Sequence, residues 1–163
     1  METINSLGNS KIKYLISLRK ASKRRKENII IIEGQKEIKQ AIEAKLEIDS
    51  YYFCKDLMPS KDIGDSLLRS RGVEVSREVF QKISYKDKPD GLFVLAKRPQ
   101  LELEQLKVGK NPFILILEKV EKPGNLGAIL RTADAVGVDA VLLCEASTDM
   151  YNPNSIRSSL GAI

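Results

Sequence analysis

Asn125 and Arg131, six residues apart, are the side chains of this 163-residue sequence whose types and spacing suggest chemistry first. They sit in and just after the turn Glu-Lys-Pro-Gly-Asn-Leu-Gly that begins at Glu121. Such a turn offers helix N-terminal amides and the Asn125 side chain close to a strand end, while Arg131 projects from the helix about two turns in. An amide cluster beside a guanidinium suits a phosphate or another anion. The same residues also describe a purely structural turn. Gly124 and Gly127 do not make a dinucleotide fingerprint, the lysine of a P-loop is absent, and a KH-type loop would join two helices rather than a strand and a helix. The chain has no histidine, which excludes histidine-based metal sites and Ser/His or Cys/His catalytic pairs, so no metal is expected.

The elements that must position this turn follow from the flanking pattern. Residues 113–117 form a short apolar run that reads as a buried strand. Pro123 and Gly124 break the chain, Asn125 is expected to cap a helix, and Leu126, Ile129, Leu130, Ala133 and Val136 mark its inner face. Gly137 stops it, and residues 139–144 are a second apolar strand. Strand, loop, helix and strand demand a parallel pair with a right-handed crossover, and ligands usually sit at such strand ends. Residues 152–163 read as a helix with Pro153 near N1, running into an apolar end without a polar tail. Two parallel strands make no stable sheet alone, so this part is expected to be an interrupted domain. Truncation is the favoured explanation. The alternative is a sheet edge that pairs with another copy or with the first domain.

Charge singles out the other end of the chain. The net charge is +5, yet residues 1–26 alone carry +7, from Lys11, Lys13, Arg19, Lys20, Lys23, Arg24, Arg25 and Lys26 against Glu2. Clustered cations suit a polyanion, RNA or DNA above all, the alternative being a solvated helix face. Asn9 is expected to cap a helix with Ile12, Leu15, Ile16 and Leu18 as its apolar stripe, leaving the cations of this helix and of the Lys-Arg-Arg-Lys tail for phosphates. Tyr14, among them, is placed either to stack on a base or to pack on its own core.

Behind this helix, residues 29–32 are four isoleucines, expected as a central strand. Residues 36–44 carry the spacing of one helical face, 48–54 a strand, and Pro59 is expected to start a helix with Ile63, Leu67 and Leu68 inside. Val73 and Val75 belong to a short strand, 76–83 to a brief helix, and 92–96 to one more strand after the Pro89-Asp90-Gly91 turn. This reads as a repeating βαβ pattern. The expected division is a first domain over 1–97, a linker over 98–111, in which Leu101, Leu103 and Leu106 suggest one docked helical turn, and a second domain over 112–163. Cys54 and Cys144 are expected to be small buried thiols. No apolar run approaches the roughly 20 residues of a membrane span, and the polar start lacks a secretory signal's apolar region, so the expected place is the cytoplasm.

The run KPGNLGAILRTADAVGVDAVLL from Lys122, followed by YNPNSIRSSLGA from Tyr151, resembles the first motif of the SpoU (TrmH-like) RNA ribose 2'-O-methyltransferases of the SPOUT superfamily. The stretches SLGNSKIKYLISLRK and NIIIIEGQKEIKQAI are similar to the small RNA-binding domain that precedes the catalytic domain in many members. The resemblance implies an α/β protein, with a small N-terminal RNA substrate-binding domain and then the first βαβ part of an α/β-knot methyltransferase domain. By the same resemblance Asn125 and Arg131 match catalytic motif residues of the family, the arginine contacting the target nucleotide's phosphate and helping to activate the ribose hydroxyl, and Arg157 and Ser159, expected to bind RNA, lie with Gly161 near that site. A cation beside a 2'-hydroxyl, a poor nucleophile, stabilises the developing alkoxide. The partner implied is ribosomal or transfer RNA, the methyl donor of the parent enzyme is S-adenosylmethionine, and the complete protein is a homodimer. Family members continue into two further motifs, whose loops form a trefoil knot and hold the donor, and this sequence ends before both. The chain is therefore expected to keep the RNA-binding domain and half the catalytic face without binding the donor, the alternative being a non-catalytic RNA-binding module.

Overall fold

The computed structural model describes residues 2–58, 67, 71–145 and 147–163. The chain divides into two units, Met1–Arg98 and Pro99–Ile163. The helix expected from Pro59 falls outside the described residues apart from Leu67, which is buried.

In the first unit the order is β1 (Glu2–Ile4), α1 (Ser10–Ser17), α2 (Ala21–Glu27), β2 (Ile29–Glu33), α3 (Gln35–Glu43), β3 (Ile48–Phe53), β4 (Arg71–Val75), α4 (Arg77–Ile83) and β5 (Leu92–Lys97). The sheet runs β1-β4-β3-β5-β2. Neighbours β1, β4 and β3 are parallel, whereas β5 is antiparallel to both β3 and β2. The repeating βαβ reading therefore fails at β5. Helix α4 begins where β4 ends, Ser76 N donating to the Ile4 carbonyl, and just past its last residue Ser84 bonds Glu33 at the end of β2. It thus crosses the sheet near one end instead of running back along it, and β5 starts from that same end.

Strand β2 is also an edge strand, not a central one. Ile30, Ile31 and Ile32 are buried all the same, because α2 and α3 pack against it. Four consecutive isoleucines report burial on both faces, which an edge strand between helices satisfies. The core of this unit joins the stripe of α1 (Ile12, Leu15, with Leu18 just past it) to Val79, Phe80 and Ile83 of α4 and to Ile31, Phe93 and Leu95 of the sheet. Asn9 caps α1 by accepting from Lys11 N at 2.9 Å. Strand β1 had no apolar run to announce it: only Ile4 of its three residues is buried.

The second unit holds β6 (Ile114–Glu118), α5 (Pro123–Ala135), β7 (Ala140–Cys144) and α6 (Pro153–Ser159). Strands β6 and β7 pair in parallel, Ile114 opposite Ala140 through Glu118 opposite Cys144, with α5 as the crossover. Helix α5 starts three residues earlier than expected: Lys122 is its N-cap and Pro123 its first residue, so Asn125 stands inside the first turn rather than capping it. Proline's fixed φ is pre-organised for that first position. Leu126, Leu130 and Ala133 are buried, whereas Val136, which follows the last helical residue, is 59% exposed. Ile116 of β6 is 62% exposed because a two-stranded sheet leaves much of its surface uncovered. A 3-10 turn does form at Leu103–Gln105, but Leu101 and Leu103 are exposed rather than docked. Cys54 is buried, while Cys144, the last residue of β7, is exposed, and both are free thiols.

Candidate active site and nucleic-acid face

In the second unit the site is built on the C-terminal ends of β6 and β7 and the start of α5. Lys119 and Glu145, the first residues after the two strands, both adopt left-handed φ (55° and 46°), and Lys119 N donates to the Cys144 carbonyl at 3.1 Å. The strand ends are therefore tied together where the chain turns away. The Lys119 ammonium lies 3.3 Å from Glu145, an exposed pair that adds little stability. Gly124 and Asn125 occupy the first turn of α5, where amide groups have no partner within the helix. A side chain added at Gly124 would meet nothing within 4 Å, and Gly124 and Asn125 are both exposed.

Asn125 and Arg131 are both exposed. Six residues of helix separate them by about 9 Å along the axis and roughly a third of a turn around it, so one small ion does not bridge them on a shared face. Arg131 shares its stripe with Gly127, four residues earlier, where α6 approaches closely. A Cβ at Gly127 would collide with the Ser158 hydroxyl and the Ser155 carbonyl and lie 2.7 Å from the Ser159 amide. Arg157 of α6 is exposed. Ser159 is not: it is 1% exposed, and its hydroxyl donates to the Ile156 carbonyl at 2.8 Å. Its place is in the α5–α6 packing, not on a surface that touches RNA. Gly161 has φ 95° and follows the end of α6.

Two hydroxyls that the sequence reading did not single out hold the turn. Thr148 donates to the Glu121 carbonyl at 2.8 Å, and Ser158 has the Pro123 carbonyl at 3.4 Å besides the closer Asn154 carbonyl at 2.8 Å. The available signal was Gly127 in mid-helix, which marks close backbone approach.

In the first unit the eight N-terminal cations separate into two groups. Lys11 pairs with Glu2, and Lys23 pairs with Glu27 at 2.6 Å. Arg19 donates to the Lys82 and Ser84 carbonyls at 3.0 and 2.9 Å and lies over the Tyr85 ring at 5.4 Å. Arg24 is 1% exposed, its guanidinium donating to the Leu18 and Arg19 carbonyls. The expectation that Arg24 faces a phosphate is thus corrected: the Lys-Arg-Arg-Lys tail lies in a helix, and its second residue, Arg24, points inward. Lys13, Lys20, Arg25 and Lys26 are exposed and form the surface cations of α1 and α2. Tyr14 packs partly against the core, with the Lys23 ammonium 5.9 Å from its ring. Burial, and next the charge of Glu27, push its hydroxyl pKa up.

Among the described residues no group of His, Cys, Asp and Glu is arranged to hold a metal, and no helix is long and apolar enough to cross a membrane. Residues 9–94 match the MRM3-like substrate binding domain, and residues 112–163 match the SpoU rRNA methylase family. The chain belongs to the SpoU rRNA methylase family. Over 162 residues this SpoU chain is 26% identical to the 23S rRNA (guanosine(2553)-2'-O)-methyltransferase RlmP of Bacillus subtilis (strain 168), covering 99% of the chain and 62% of that protein. It is 32% identical over 146 residues to the mitochondrial rRNA methyltransferase 3B of Danio rerio, covering 86% of the chain and 33% of the relative. The crystal structure of an RNA 2'-O ribose methyltransferase superposes on it with TM-score 0.81 at 34% identity, over 98% of this chain and 62% of that one. An S-adenosylmethionine-bound rRNA methyltransferase from Sinorhizobium meliloti, 24% identical, shares the fold with TM-score 0.86 over 99% of this chain and 61% of that one. The SpoU chain thus spans about three-fifths or less of the length of these relatives.

Proposed function

We propose that this chain is the RNA-binding and target-positioning part of an enzyme that methylates a ribose 2'-hydroxyl of ribosomal RNA in the cytoplasm, as a homodimer. The observation that carries the reading is the joint match of residues 9–94 and 112–163 to a substrate-binding domain and a SpoU methylase domain. The geometry gives it a physical form. Exposed Lys13, Lys20, Arg25 and Lys26 attract the RNA backbone. Amides at the start of α5 receive a phosphate oxygen beside Asn125. Arg131 and Arg157, both exposed, supply positive charge on the two packed helices, and Arg131 stabilises the alkoxide that develops as the hydroxyl attacks. The donor of such a reaction, S-adenosylmethionine, supplies an electrophilic methyl group on a sulfonium. No residue of this chain is assigned to hold it. We place its binding in the later motifs of the family, so that the 163-residue chain binds RNA but not the donor.

Titration calorimetry with S-adenosylmethionine and a salt series of RNA affinity test this on the same sample. The expected result is salt-sensitive RNA binding without donor binding. Stoichiometric donor uptake would overturn the division of labour, and RNA affinity indifferent to salt would overturn the cationic face. A purely RNA-binding module is the second reading. It is favoured by the four exposed cations alone and predicts that loss of Arg131 leaves the function of the complete protein unchanged.

A further inference from the structure

Helix α2 has almost no apolar reason to exist. Its sequence, Ala-Ser-Lys-Arg-Arg-Lys-Glu, offers Ala21 as the single apolar side chain, and it is seven residues long. A helix this short and this polar is unstable alone; the like charges of Lys23 and Lys26, three residues apart, weaken it, and the exposed Lys23–Glu27 pair, four residues apart, offsets this only weakly. The side chain it buries is a cation: Arg24. One Arg24 Nη donates to the Leu18 carbonyl at 2.9 Å and to the Arg19 carbonyl at 3.0 Å. These carbonyls stand at the C-terminal end of α1, where its dipole is negative and a cation is favoured. The junction is tied on its other side as well. Arg19 turns away from α2 and donates to the carbonyls of Lys82, in the last turn of α4, and of Ser84, its C-cap. At the far end, Asn28 closes α2 in the left-handed conformation, its amide bonding the Arg24 and Arg25 carbonyls.

Burying a charge costs more than burying an apolar side chain of the same size unless its donors are satisfied. What the guanidinium adds is a directional grip on the α1 end.

We propose that Arg24 is a positioning residue: its buried guanidinium fixes α2 against the end of α1 and so sets where Lys20, Arg25 and Lys26 stand to meet RNA, without touching RNA itself. This rests on the RNA-binding reading above. It separates the cations of this segment into those that hold the surface and those that are the surface.

The test is the salt dependence of affinity of the full 163-residue chain for a structured ribosomal RNA fragment. Each phosphate contact contributes about 0.7–0.9 to the slope of log K against log salt. R25M and K26M are each expected to lose about one contact's worth. R24M is expected to lose about two to three, with the R24M/K26M double variant no lower than R24M alone. A fall of about one contact in R24M would make Arg24 itself a phosphate ligand and overturn the proposal, and an unchanged slope would show that α2 keeps its place without the grip. Where R24M does not fold, amide exchange in the unaltered chain decides: protected α2 amides in the absence of RNA are expected, and exchange at the rate of an open chain would overturn it. If the unaltered chain shows no salt-dependent affinity, the RNA-binding reading falls with it, whereas a normal slope there and a shallow effect of R24M sinks the positioning role alone.

Discussion

Replacing Gly127 by alanine tests the packing on which the second unit's site depends. A Cβ at this position would overlap the Ser158 hydroxyl and the Ser155 carbonyl and would lie 2.7 Å from the Ser159 amide nitrogen. The hydroxyl can rotate away, but the carbonyl and the amide belong to the α6 backbone, so α6 itself must move. Overpacking of this kind costs about 1–3 kcal/mol, with the upper half expected where backbone is struck. Alanine recovers about 1 kcal/mol of helix propensity. The net loss is then on the order of 1–2 kcal/mol, which opens α5 and α6 roughly five- to thirtyfold more often. Gly124 is the internal control. It lies in the same helix with open space around it and without a positive φ, so G124A should gain about 0.4–1 kcal/mol. Amide exchange over residues 123–135 and 153–159 reads both variants locally. Faster exchange in G127A and slower exchange in G124A are expected. Equal protection in G127A and the unaltered chain would refute the close packing of α6 on α5.

Three further outcomes follow from the same geometry. Burial raises the Glu33 carboxyl pKa above the ordinary range, against the Ser84 hydroxyl bond, the Tyr85 amide bond and the charge of Lys86, which lower it, while the charge of Asp90 adds to the rise. A group raised in the folded state stabilises below its unfolded pKa and loses that contribution as pH rises through the folded value. The stability of the unaltered chain relative to E33Q should therefore decline as pH climbs from the ordinary carboxylate range toward neutrality, measured by urea unfolding, and a difference that grows with pH would contradict it. Asn28 holds φ 55° at the end of α2, so N28A should cost about 1–2 kcal/mol and N28G distinctly less, read as the shift in urea midpoint. K20Q should weaken RNA binding and flatten its salt slope by about 0.7–0.9, whereas K11Q, whose ammonium is already paired with Glu2, should change it less.

Much of the second unit was readable residue by residue. Gly137 and the apolar runs around it gave the two strands and the crossover, because a parallel pair needs a helix between its strands and this sequence has one of the right length. The start of α5 was misplaced because proline competes with asparagine for the first positions and wins them by its fixed φ. In the first unit the elements were visible but their directions were not. Nothing in the spacing of Val79, Phe80 and Ile83 says that α4 crosses the sheet instead of running back along it; that choice is made by Ser84 and Tyr85 meeting Glu33. Charge misled in a similar way. Arg24 and Ser159 look like surface ligands by type, yet both are buried and bond backbone carbonyls only three to six residues away, partners that any residue supplies and that side-chain type therefore does not announce. Resemblance named Asn125 and Arg131, while Thr148 and Ser158, which brace the turn between them, needed coordinates.

The central claim is methyl transfer to a ribose 2'-hydroxyl, and mapping the methyl group tests it most directly. The complete protein is incubated with ribosomal RNA and labelled S-adenosylmethionine, and the RNA is hydrolysed in alkali, which a 2'-O-methyl group resists. One alkali-resistant, labelled ribose position is expected, lost about 100-fold or more when Arg131 is alanine. Label on a base, or a position modified equally well without the Arg131 guanidinium, would contradict the account.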